Sequence, residues 1–118
     1  MFGLRIVRLV ESLPETRTGR VIGNQLLRAG TSVGANYRAA CRAKSRADFI
    51  SKLGTVEEEA DESVYWMEML IDAGLVKRPK IAALLGEGNE ILAIVVASIN
   101  TSRRNSQSAV RNPQSAIK

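Results

Sequence analysis

The chain contains no histidine, a single cysteine and few aromatic residues, which make up 4% of its 118 positions. The missing histidine removes the commonest general base near neutral pH and a very common metal ligand. Ser-His and Cys-His nucleophile pairs are excluded. So are the usual zinc sites, because one cysteine leaves only carboxylates as ligands. Cys41 alone cannot form an internal disulfide, which fits a reducing compartment. The scarcity of aromatics means the core must be built from Leu, Ile, Val and Ala. No charged-then-apolar leader is present. The longest uninterrupted apolar run, Ile91 to Ala97, is seven residues, well short of the roughly 18 a membrane helix needs. The expectation is a cytoplasmic protein with no membrane association, no cofactor or metal and no enzymatic activity.

What remains is helical. Apolar residues recur at steps of three and four throughout, and strand-like alternation is hard to find. Helix 1 is predicted over about Phe2 to Ser12, on Phe2, Ile6, Leu9 and Leu13, and Pro14 ends it by forcing the preceding residue out of the helical region. Thr16 or Thr18 caps helix 2, about Gly19 to Lys44, whose stripe is Ile22, Leu26, Ala29, Val33, Tyr37 and Ala40. Gly23, Gly30 and Gly34 lie inside that helix and serve either close packing or a break near Ala29 to Gly34. Ser45 with Asp48 is a capping-box pattern opening helix 3, about Arg46 to Ala73, with Phe49, Leu53, Val56, Ala60, Val64, Met67 and Ile71 inward. Gly74 then Leu75 reads as a helix stop. Pro79 suits the first turn of helix 4, which carries Ile81, Leu84, Leu85, Leu92, Val95 and Ile99 and runs to about Arg103.

Four amphipathic helices joined by short connections predict an all-α, antiparallel up-down-up-down four-helix bundle over residues 1–103. Helix 1 is far shorter than the others, so one corner of the bundle is poorly covered. Residues 104–118 hold a tandem seven-residue repeat, Arg104 to Val110 and Arg111 to Ile117, polar and interrupted by Pro113. This tail is expected to be disordered.

Charge is segregated along the chain. Residues 1–56 carry ten bases and three acids, residues 57–75 seven acids and no base, and residues 76–118 seven bases and two acids. On helix 2, Arg20, Arg28, Arg38 and Arg42 point away from the core stripe, and Arg46 sits just beyond its end. Such a ridge is either a solvated face, a surface for an acidic protein, or a track for a phosphate backbone, which Arg forks match. Without interleaved aromatics it is no single-strand stacking platform. The acidic block Glu57 to Glu62 lacks the Glu-x-x-His of di-iron bundles and reads as acids favourable early in a helix. Tyr65, Trp66 and Met69 fall opposite the helix 3 stripe and are the candidate oligomer interface. Asn36 and Glu62 are candidate buried polar residues; Asn36 would need a hydrogen-bond partner if buried, and Glu62 is a candidate for it.

Three stretches carry a resemblance. They are Gln25 to Ala40 (QLLRAGTSVGANYRAA), Asp48 to Leu53 (DFISKL), and Glu57 to Trp66 (EEEADESVYW) with Leu70, Gly74 and Leu75. Together they resemble the 23S rRNA-intervening-sequence proteins, over about residues 4–103. The resemblance implies a left-handed four-helix bundle, a homopentamer and no known catalytic activity. The related accessory variability proteins of diversity-generating retroelements are similar, and they imply a basic pentamer that binds nucleic acid and a reverse transcriptase. The family's Asn and Tyr-Arg-Glu-Ala motif maps to Asn36, Tyr37, Arg38, Ala39 and Ala40, with Ala39 in place of Glu. Helix 1 also starts later than in most relatives. The expected function is a homo-oligomeric bundle, pentameric by resemblance, that binds RNA or DNA. An oligomeric adaptor for a protein partner is the alternative.

Overall fold

A computed structural model of the chain describes residues 1–111, and the side-chain surroundings of residues 1–106. It contains four helices: α1 (Phe2–Glu11), α2 (Arg17–Cys41), α3 (Arg46–Asp72) and α4 (Arg78–Arg111). The punctuation acts where the residues place it. Thr16 Oγ1 accepts the Gly19 amide at 3.0 Å and caps α2. Ser45 Oγ accepts the Asp48 amide at 3.0 Å and caps α3. Each satisfies an amide with no partner inside its helix. At the end of α3, Gly74 takes φ 73°, a conformation glycine adopts without a Cβ penalty. The Leu75 amide then reaches back to the Leu70 carbonyl at 2.9 Å, and the chain turns into α4.

Contacts run between sequence neighbours, α1 with α2, α2 with α3 and α3 with α4, and α1 closes against α4. The levels at which they meet are antiparallel. Ile6 lies against Gly30 while Leu13 lies against Gly23, and Gly88 meets Val64 and Met67. This is the arrangement expected of an up-down-up-down bundle. Phe2 and Ile6 of α1, Leu26 and Val33 of α2, Leu53, Val56, Met67 and Leu70 of α3, and Ile81, Val95 and Ile99 of α4 form the core.

Glycine inside α2 serves close packing, since the helix is continuous through all three positions. A Cβ on Gly30 would stand 2.8 Å from both Cγ1 and Cγ2 of Ile6, a fully buried and β-branched side chain with little freedom to move. Gly30 therefore sets how near α1 can lie to α2.

Three expectations need correction. Helix 4 does not end near Arg103 but continues to Arg111. The first repeat copy thus extends the helix instead of opening a disordered tail. Residues 104–111 contain neither glycine nor proline, and Pro113 disfavours helix only from the residue before it. The rest of the tail, residues 112–118, lies outside the described residues. Tyr37 does not join the core stripe and is 53% exposed, because α1 is too short to reach its level. Trp66 and Met69 do not stand clear of the core but are partly buried against it. α3 packs against both α2 and α4, so its covered face is wider than one stripe.

Gly30→Ala is expected to lower stability by about 1–3 kcal/mol through overpacking against Ile6. Gly54→Ala, where nothing lies within 4 Å of the added Cβ, is expected to raise it by up to about 1 kcal/mol. Urea unfolding of the two variants tests the opposite signs.

Candidate nucleic-acid interface

All five arginines of the sequence-defined ridge, Arg20, Arg28, Arg38, Arg42 and Arg46, are exposed. The structure does not leave them as one continuous track. Arg20, at the N-terminal end of α2, shares a shallow hollow with Glu11, Glu15 and Asn24. Arg28, near the middle, is engaged by α3: its Nη1 lies 3.2 Å from Glu59 Oε2, and its Nη2 pairs with Glu62 Oε2. The acidic stretch of α3 runs beside this part of α2 and neutralises one arginine rather than the whole ridge. With Arg28 half exposed, each such pair contributes at most about 1 kcal/mol.

The C-terminal third of α2 differs. Arg38 and Arg42 border a broad open cleft of about 620 Å³, completed by Lys44 of the α2–α3 turn and by Asp48 and Lys52 of α3, with Ala35 and Ala39 at its floor. The one acid there already has both oxygens engaged. Asp48 Oδ1 accepts from Lys52 Nζ at 2.7 Å, and Oδ2 accepts the Lys44 amide at 3.2 Å. Among the described residues, the side chains of Arg38, Arg42 and Lys44 have no carboxylate partner. Ala35 and Ala39 add no charge to the cleft. Arg46 begins α3, exposed, outside the cleft lining.

Lys44 and Lys52 were not singled out from the sequence, although signals for them exist. The Ser45–Asp48 cap ties Lys44 to the first turn of α3, and Lys52 stands four residues after Asp48, the spacing of a helical ion pair. Only the antiparallel packing of α3 on α2 brings Lys52 opposite Arg38.

The candidate interface on α3 is also reorganised. Trp66 Nε1 donates to Glu62 Oε2 at 3.1 Å, the same oxygen that receives Arg28. Its ring stands edge-on to Tyr65, with centroids 4.9 Å apart. Tyr65 alone of the three is largely exposed, at 52%. Asn36 and Glu62 are half-buried and do not meet. Asn36 Nδ2 donates to the Ser32 carbonyl one turn back, at 2.9 Å, and Glu62 serves Arg28 and Trp66. Among the described residues the buried polar one is instead Ser63, whose hydroxyl donates to the Glu59 carbonyl at 2.8 Å.

The Lys52 hydrogen bond, followed by the Lys44 amide, holds the Asp48 carboxyl below its ordinary value. A group shifted downward on folding adds stability above its unfolded value, about 4, and loses it as pH falls through its folded value. Asp48→Asn should therefore melt at a lower temperature than the parent at pH 7. The gap should close as pH is taken below 4. A gap constant from pH 7 to pH 3 would show that the charge of Asp48 contributes nothing.

The sequence profile described as 23S rRNA-intervening sequence protein matches residues 1–97. A crystal structure of a protein of unknown function from the S23 ribosomal protein family of Bacteroides thetaiotaomicron VPI-5482 is 40% identical. The match covers 83% of this chain and 91% of that one, with a TM-score of 0.78. No curated protein matches the chain. The profile spans most of the chain and the similar structure repeats its fold, so the protein belongs to the 23S rRNA-intervening sequence protein family.

Proposed function

We propose that this protein is a homo-oligomeric helical bundle that binds RNA or DNA electrostatically, with the α2–α3 cleft as its main contact. The observation that carries the reading is the convergence of Arg38, Arg42, Lys44 and Lys52 on one cleft whose single acid is already engaged. Arginine forks match phosphate oxygens in two-point geometry, and lysines add point charges. The site offers no aromatic platform and no groove-reading element. Binding is therefore governed by phosphate rather than by sequence. The reading includes no catalytic step. The family's name ties it to 23S rRNA, so RNA is the first ligand to test. Pentamer assembly comes from the family resemblance and belongs to the same proposal.

Binding to mixed-sequence duplex should weaken with salt. Three phosphates neutralised by the unpaired Arg38, Arg42 and Lys44 imply a log–log slope of about −2.7, a loss of roughly 40-fold between 50 and 200 mM salt. Arg42→Ala should reduce the slope by about 1. Arg38→Glu with Arg42→Glu should abolish binding, whereas Arg28→Ala, already paired within the chain, should leave it nearly unchanged. Fluorescence anisotropy titrations at several salt concentrations decide this. Salt-independent affinity, or affinity that survives the double charge reversal, rejects the proposal.

A further inference from the structure

The last turns of α4 are the part of the fold that the α2–α3 cleft leaves unused. They lie beyond residue 97, where the match to the family profile stops, and they carry the first copy of the seven-residue repeat. From Ile91 to Arg111 the helix holds no acid. Arg103 and Arg104 are both exposed. Arg104 Nη2 donates to Thr101 Oγ1 at 3.3 Å, a neutral partner. Among the described residues, neither arginine meets a carboxylate.

Register decides what these arginines stand beside. Gly88 lies against Val64 and Met67 of α3, and the two helices run antiparallel. At equal rise per residue on both, Arg103 and Arg104 come level with Phe49 to Ser51, in the first two turns of α3. Those turns also supply Asp48 and Lys52 to the cleft. Because α3 packs on both α2 and α4, it separates the cleft from the two arginines at one end of the bundle. α1 does not reach this end. Past Met1 and Phe2 an apolar groove lies open between Tyr37 of α2 and Ile94 of α4, and Ile94 and Val96 stay exposed on the uncovered side of α4. Three helices therefore form the end, and α4 adds its two arginines to the bases of α2 and α3. Among the described residues the one acid there is Asp48, already engaged through both oxygens. The next acids of α3, Glu57 and Glu58, stand more than a turn further along the helix from Lys52.

We infer, on the nucleic-acid reading of the cleft, that Arg103 and Arg104 are a second phosphate contact and that the ligand is a double helix laid across this end of the bundle. It touches the cleft on one flank of α3 and α4 on the other. The bundle is 22 by 19 Å across its long axis. At about 3.4 Å per base pair, roughly six base pairs cover that width. A duplex is stiff over such a length and holds its phosphates at fixed separations. A single strand would have to be ordered across the same span, and the cleft lining offers no aromatic ring to stack its bases. An acidic helix presents carboxylates on one face about one turn, or 5.4 Å, apart. A duplex carries a charge about every 1.7 Å, which suits bases drawn from three helices better.

Fluorescence anisotropy over a range of salt tests this, with a duplex of about 20 base pairs and with one of its strands, chosen not to pair with itself. The parent slope should be steeper than the roughly −2.7 of the cleft alone. Arg103→Ala with Arg104→Ala should lower it by about 1.8, so that the fall in affinity between 50 and 200 mM salt becomes roughly 12-fold smaller. Arg103→Lys with Arg104→Lys should keep most of the parent slope, and Asn105→Ala should keep all of it. Alanine favours helix at these exposed positions, and circular dichroism checks that each variant retains the parent's helicity. The single strand should bind more weakly than the duplex at every salt concentration. If the parent binds neither, the cleft reading and the inference fall together. If the parent binds, but the double alanine variant keeps its slope or the single strand binds as tightly as the duplex, the inference is overturned and the cleft reading stands. A double alanine variant that loses affinity for polyglutamate and none for the duplex overturns it too, and assigns the two arginines to an acidic protein.

Discussion

A helix of ten residues has to close the fourth side of a bundle whose other members have 25, 27 and 34. At 1.5 Å per residue α1 is about 15 Å long, against about 38 Å for α2. A helix this short is marginal in isolation, so tertiary contacts hold it. Ile6 seats on the bare backbone at Gly30, Phe2 reaches toward Gly88 of α4, and Arg5 pairs with Glu87. Where those contacts end, the core is open. The exposure of Tyr37, the groove beside it and the uncovered side of α4 all follow from this mismatch of length.

The other organising feature is the change of charged neighbours along the outward face of α2. Its outward arginines share one helix face, but their neighbours differ along its length. Beside Glu59 and Glu62, Arg28 becomes part of the α2–α3 contact and helps to hold Trp66 through a shared carboxylate oxygen. One end further on, α3 offers Lys52 instead of an acid, and the cap of α3 occupies Asp48. Arg38 and Arg42 thus stand among cations. The basic cleft is built on α2 and α3, and the exposed apolar residues of α4 lie outside its lining.

Most of the fold was legible in the sequence. The capping residues Thr16 and Ser45, the stop at Gly74 and the breaker Pro14 act locally, through bonds within a few residues. Helix boundaries followed to within a turn, apart from the end of α4. The candidate site was legible only in part. Arg38 and Arg42 were visible as outward bases, but Lys44 and Lys52 belong to other elements and enter through packing. The assignments of Arg28, Trp66 and Tyr37 changed because each depends on what a neighbouring helix places, or fails to place, beside it.

The sequence by itself determined the four helices, the antiparallel bundle, the aliphatic core and the exclusion of histidine chemistry. These rest on periodicity, local hydrogen bonding and composition, all of which act along one chain. Only the tertiary structure decided which arginines remain unpaired and which apolar residues stay exposed. Periodicity fixes the direction of a side chain about its own helix axis. It does not fix which partner lies in that direction or how far along the axis that partner extends.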